Sequence, residues 1–193
     1  LAHADAPAER KKAELTLTAA LALMDPVWGG ASQYSTGGVW SNAHFEKIMR
    51  TQAGYLRIYA LAYGRLGRLS DLQAAQDIQR YLFAFLRSPE GAFYVSQDAD
   101  VVPGEHSETY FRLDDAERKK IGIPRVDQNL YADANGLAAE ALATFYSFSG
   151  DVAARDAAVM AMDWVLKHRA GSRGLMRHGV SPESAPHLSD SLS

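Results

Sequence analysis

A repeat constrains this chain more than any other feature. Tyr63-Gly64-Arg65-Leu66-Gly67 aligns with Tyr146-Ser147-Phe148-Ser149-Gly150 at an offset of 83 residues, and the same offset sets Gln52 on Asn135, Tyr81 on Trp164 and Gly91 on Gly174. A partial third copy relates Gly30-Ala31-Ser32-Gln33-Tyr34-Ser35 to Gly91-Ala92-Phe93-Tyr94-Val95-Ser96. Each copy reads as an amphipathic helix, a tight turn, a second amphipathic helix, then glycine and a strand-like stretch. A helical hairpin cannot bury its apolar faces alone, so repetition at this period implies that neighbouring copies stack on one another.

Apolar residues at steps of three and four predict long helices over residues 7–24, 42–66, 70–87, 128–148 and 152–167. Asp25-Pro26 ends the first, and Asn42 is a suitable N-cap for the second. On that second helix Phe45, Ile48, Met49, Gln52, Leu56, Tyr59 and Tyr63 form one stripe. Residues 92–96 and 109–111 read as a short hairpin, Asp114 caps a short helix to about Lys120, and 174–178 is strand-like. Hairpins of this kind close into an α/α toroid. The first, third and fifth helices precede the glycine–strand loops and belong outside; the second and fourth line the axis. The expected fold is therefore all-α, a partial α/α toroid with short β-hairpins in its loops. It forms one incomplete domain over residues 1–193, short of the six hairpins of a full ring.

Composition adds exclusions. A net charge of −3 gives no reason to expect nucleic acid or an anionic membrane as partner. The longest apolar run, residues 19–24, is far too short to span a bilayer. With no cysteine there is no disulfide, thiolate metal site or cysteine nucleophile, and the compartment stays open. No zinc, EF-hand or phosphate-loop motif occurs, so neither metal nor cofactor is expected. A start at Leu1 and an end at Ser193, just past a helix start, predict a piece of a longer polypeptide.

Asp25-Pro26-Val27-Trp28-Gly29-Gly30, Gln33-Tyr34-Ser35, His44-Phe45-Glu46-Lys47 with Gln52-Ala53, and Gly91-Ala92-Phe93-Tyr94 before Gln97-Asp98-Ala99-Asp100 follow one another in a distinctive order. Over roughly residues 15–150 this resembles the helical toroid domain of the thioredoxin-domain-containing proteins of the YyaL type, the family related to spermatogenesis-associated protein 20. That region is in turn similar to six-hairpin glycosidases and N-acylglucosamine 2-epimerases. The family's thioredoxin-like domain is absent from this sequence. Its Asp-Trp-Asn-Gly pattern reads Asp133-Ala134-Asn135-Gly136 here, and its acidic stretch is thinned to Val101-Val102-Pro103-Gly104-Glu105-His106.

The resemblance implies a sugar or sugar derivative bound in an axial funnel, where loops meet inner-helix starts. Trp28, Gln33, Tyr34, Glu46, Gln52 and Asn135 are the candidate ligand-binding residues, with His44, Asp98 and Asp100 as candidate acid–base groups. Asp25, His187 and Asp190 lie beside the same segments. Each has a plainer reading. Gln52 and Asn135 can tie helix starts to loops, His44 and Glu46 can serve a helix's first turn, and the two aspartates can cap a loop. His178 reads as a surface strand residue. Two functions follow. One is a sugar-binding toroid doing acid–base epimerisation or isomerisation, or glycoside hydrolysis. The other is a non-catalytic module that partners a thioredoxin-like domain or the remaining hairpins.

Overall fold

A computed structural model describes residues 6–105, 108–171, 174–181, 183–185 and 187–192. The elements in chain order are α1 (Pro7–Ala20) with a 3-10 turn (Leu21–Leu23), β1 (Tyr34–Ser35), β2 (Ala43–His44), β3 (Lys47–Ile48), α2 (Met49–Leu66), and α3 (Leu69–Tyr81) with a π turn (Leu82–Leu86). They continue with β4 (Ser96–Gln97), α4 (Glu108–Phe111), α5 (Asp115–Ile121), β5 (Val126–Asp127), α6 (Ala132–Ser149), α7 (Val152–Arg169) and α8 (Leu188–Leu192). Among the described residues no helix is long and apolar enough to cross a membrane.

The two copies of the repeat pack side by side. α2 lies against α6, α3 packs on α2, and α7 and α8 pack on α6. An inner layer of α2, α6 and α8 is thus backed by an outer layer of α1, α3 and α7. The inner pair approach closely because their contact faces are small: Ala53, Ala60, Ala134, Ala138 and Ala141 are buried around Leu56, Tyr59, Leu142 and Phe145. Gly64 faces Phe148, and a Cβ there would come within 2.1 Å of the ring. Both inner helices end alike. Gly67 and Gly150 take left-handed φ of 71° and 72°, and their N–H groups bond the carbonyls of Tyr63 and Tyr146.

The loops between outer and inner helices also repeat. Isolated bridges join Met24 to Ala31, Arg87 to Phe93 and Ala170 to Met176, each where an outer helix has just ended. In every case the fourth residue of the next inner helix takes hold of the bridge residue. Ala31 N–H donates to Gln52 Oε1 at 2.7 Å while Gln52 Nε2 donates to the Ala31 carbonyl at 2.6 Å. Phe93 N–H donates to Asn135 Oδ1 at 2.7 Å, and Asn135 Nδ2 donates to the carbonyls of Phe93 and Tyr131. Met176 N–H donates to Ser191 Oγ at 3.1 Å.

Two expected elements differ. The second long helix starts at Met49 rather than Asn42, because residues 43–44 and 47–48 pair as strands: Ser35 with Ala43, Tyr34 with His44, and Lys47 with Gln97. Gly37 and Gly38, at φ of 62° and 72°, turn the β1–β2 hairpin. Nor do residues 92–96 pair with 109–111. β4 lies between β3 and β5, while 108–111 coil into α4 so that Tyr110 and Phe111 bury their rings against Trp28 and Phe45.

Candidate functional site

The loops that lead into α2 and α6 enclose a cleft of about 700 Å³. His44, Glu46, Asp98 and Asp100 all line it, together with Asn42, Glu108, Phe111 and Arg112. β-pairing explains the convergence: β3 hydrogen-bonds to β4, so the segment just before β3 and the segment just after β4 open on one space. His44 Nε2 lies 3.7 Å from a Glu46 oxygen, and its ring stacks on Tyr34 with centroids 4.8 Å apart. Tyr34 keeps 48% of its surface exposed, and Trp40 on the same hairpin keeps 40%. Gln33 is half-buried one step behind, its N–H on the His44 carbonyl. Asp98 Oδ1 accepts from Asp100 N–H and Asp100 Oδ2 from Gly104 N–H, both at 3.3 Å. These bonds shape the loop and fix where the two carboxylates stand. The cleft thus offers an imidazole, several carboxylates and the stacked rings of Phe45 and Phe111.

Trp28, Gln52 and Asn135 are placed elsewhere. Trp28 is buried, its indole N–H donating to Asp115 Oδ1 at 2.8 Å and its ring against Phe85 and beneath the Arg118 guanidinium. Gln52 and Asn135 are fully buried and use their amides on Ala31 and Phe93. They line no part of the cleft, and their role is to fasten loops to inner helices. The reason is geometric. At a helix's fourth position a carboxamide reaches the preceding loop, and a buried backbone N–H and C=O need that partner.

Behind the cleft lies a charged cluster that sequence reasoning did not assemble. Lys47 Nζ lies 2.8 Å and Arg118 Nη1 2.7 Å from Asp25 Oδ2, and all three side chains are at most 3% exposed. Lys47 also donates to the Gly29 carbonyl, and Arg118 to the carbonyls of Phe111 and Leu113. Rings close the site, with Lys47 over Tyr81 and Arg118 over Trp28 and Phe111. Burial alone would push the Asp25 carboxyl up; the Lys47 ammonium, the Arg118 hydrogen bond and the Val27 N–H together outweigh it and hold the carboxyl below the usual range. Burial pushes the Lys47 ammonium down to about 8 despite Asp25, and the neighbouring Arg118 charge adds to the fall. Arg118 is therefore the firmer partner of Asp25. The glycines of this loop make the enclosure possible: a Cβ at Gly29 would lie 2.2 Å from the Asp77 carbonyl oxygen, and one at Gly30 2.6 Å from Tyr81.

Because the folded Lys47 titrates near 8 and the free side chain near 10.5, between those values the unfolded chain holds a proton that the native chain has released. Stability then rises with pH over that window. We expect the difference in unfolding free energy between the wild type and Lys47→Met to grow in the wild type's favour from pH 8 to 10. Urea titrations at several pH values measure it, and a flat difference contradicts the assignment.

A third cluster joins the inner-helix starts. Arg50 Nη2 lies 3.1 Å from Asp133 Oδ2, and Asp133 N–H donates to Asp190 Oδ1 at 3.3 Å. Asp190 also accepts from His187 N–H and stands 3.0 Å from His178 Nδ1. His178 is therefore held at the start of α8 rather than standing as a surface strand residue.

No protein-family model matches the chain. Over 81 residues it is 33% identical to mouse spermatogenesis-associated protein 20, a match covering 42% of this chain and 10% of that protein. The human protein matches equally, and an uncharacterised protein of Caenorhabditis elegans is 31% identical over 85 residues, which is 43% of this chain and 12% of that one. The matched segment thus spans about a tenth of these relatives. Among solved structures, the cellobiose 2-epimerase of Spirochaeta thermophila superposes with a TM-score of 0.67 at 20% identity, covering 96% of this chain and 47% of that one. A D-mannose isomerase gives 0.63 at 16% identity (91% and 41%). An inactive α-1,6-mannanase variant of Salegentibacter, solved with an α-1,6-linked mannose tetramer, gives 0.65 at 15% (90% and 44%). The fold is a partial α/α toroid, shared with these epimerase, isomerase and mannanase structures, and the resemblance to spermatogenesis-associated protein 20 holds.

Proposed function

We propose that the chain binds a mono- or oligosaccharide in the cleft lined by His44, Glu46, Asp98 and Asp100, and that the chemistry there is acid–base epimerisation or isomerisation. One observation carries this reading: those four side chains line one open space of about 700 Å³, with Phe45 and Phe111 in the same lining and Tyr34 stacked on His44 at its edge. Sugars present apolar faces to aromatic rings and hydroxyls to carboxylates, which this lining supplies. His44 is the proton carrier. An imidazole removes the proton from the carbon next to an open-chain sugar's carbonyl, leaving an enediolate; returning it to the former carbonyl carbon isomerises the sugar, and returning it to the same carbon after the intermediate has turned over epimerises it. The relatives in fold that are named as an epimerase and an isomerase act on sugars, which supports the same assignment.

The test is to titrate the chain with glucose, mannose, cellobiose and mannobiose, following chemical shifts, and to watch for solvent deuterium entering at C2. Binding at millimolar ligand or better is expected, weakened about tenfold or more by Asp98→Asn with Asp100→Asn. Deuterium incorporation is expected to be lost in His44→Ala. Release of new reducing ends without deuterium would turn the assignment to hydrolysis, with the carboxylates as acid and base. No shift with any sugar removes it and leaves the interaction module, toward a thioredoxin-like domain or further hairpins, as the reading.

A further inference from the structure

We propose that His178, His187 and Asp190 bind one divalent transition-metal ion of the zinc class. Among the described residues they are the one group of three or more histidine and carboxylate side chains whose ligand atoms all fall within 4.8 Å of one another. His178 comes from the stretch after α7, His187 from the residue before α8 and Asp190 from that helix's first turn, so no single sequence motif announces all three.

The distances suit an ion. Two ligand atoms each ~2.1 Å from a metal stand about 3.0 Å apart at a right angle and about 3.4 Å apart at the tetrahedral angle. His178 Nδ1 lies 3.0 and 3.2 Å from the two Asp190 oxygens. An ion can therefore replace the proton they share while both stay close to their present positions. His187 is exposed and its ring centroid lies 4.5 Å from that of His178, at 22°. Turning this exposed ring off the face of His178 brings its nitrogen into the third position. The rest of the setting holds the ligands in place, as the outer shell of a metal site does. The Asp190 side chain is fully buried and accepts the N–H groups of Asp133 and His187, while Tyr131 lies flat on His178 at 4.3 Å and 11°. Two imidazoles with one carboxylate select a nitrogen-preferring ion over magnesium or calcium. Three protein ligands leave positions for water or a ligand's oxygens. This site is separate from the cleft and does not rest on sugar binding.

The experiment is calorimetric titration of the chelator-treated chain with zinc chloride, and in parallel with magnesium chloride. One zinc per chain is expected, with a micromolar or tighter Kd at pH 7.5 and no magnesium uptake at the same concentrations. His187→Ala and His178→Ala should each weaken binding at least tenfold, and His168→Ala should leave it unchanged. His187 is exposed, so its removal tests the site without threatening the fold. As a second readout, zinc should shift the ring-proton resonances of His178 and His187. Zinc uptake that survives His187→Ala, binding only at millimolar zinc, or none at all overturns the proposal.

Discussion

Asp25→Asn is expected to cost about 3–5 kcal/mol of folding stability, because it leaves two buried cations without their anion. Lys47 and Arg118 both reach one Asp25 oxygen and are at most 1% exposed, so water cannot take over the lost charge. For a chain of this size the loss corresponds to roughly 10 °C or more in Tm. The protein carbonyls that Arg118 and Lys47 also contact can solvate a cation only in part. Adding Lys47→Met to Asp25→Asn should recover a portion of the loss, since it removes the less firmly paired of the two charges. Thermal and urea unfolding of the single and double variants decide this. An Asp25→Asn protein within about 1 kcal/mol of wild type would show the cluster to be solvated after all. The acid limb has a defined sign. Asp25 is held below its usual range, so its contribution is present at neutral pH and fades as pH drops beneath the ordinary carboxylate value of 3.8.

Gln52→Leu should cost about 2–4 kcal/mol, since it keeps the volume but strands both backbone groups of Ala31 in the protein interior. Asn135→Leu should behave the same way through Phe93. The measurement that separates a structural amide from a sugar ligand is affinity in the folded fraction. Both variants should be less stable while leaving sugar binding at the cleft unchanged. If either remains as stable as wild type and loses sugar binding, the amide belongs to the site.

The repeat is legible in the sequence because its signals are local: amphipathic stripes, and glycines at positions 67 and 150 where a helix must end in the left-handed region. The start of α2 is not legible, because it depends on Lys47 and Ile48 pairing with residues 96 and 97, almost fifty positions away. Gly37-Gly38 is the one local clue to the β1–β2 hairpin. His44, Asp98 and Asp100 can be singled out by residue type, and their meeting in one cleft follows from that same distant pairing. Trp28, Gln52 and Asn135 show the reverse. Polar and aromatic types near loops suggest a ligand, while packing assigns them to the protein's own backbone and charges. Arg118 gave no sign at all. In the run Arg118-Lys119-Lys120 it looks like any solvated residue, and only the turn of α5 carries it inward onto Asp25.

The fastenings at positions 52, 135 and 191 all reach backward along the chain, to 31, 93 and 176. A segment leaving the ribosome therefore cannot finish its own closing loop; the helix synthesised next completes it.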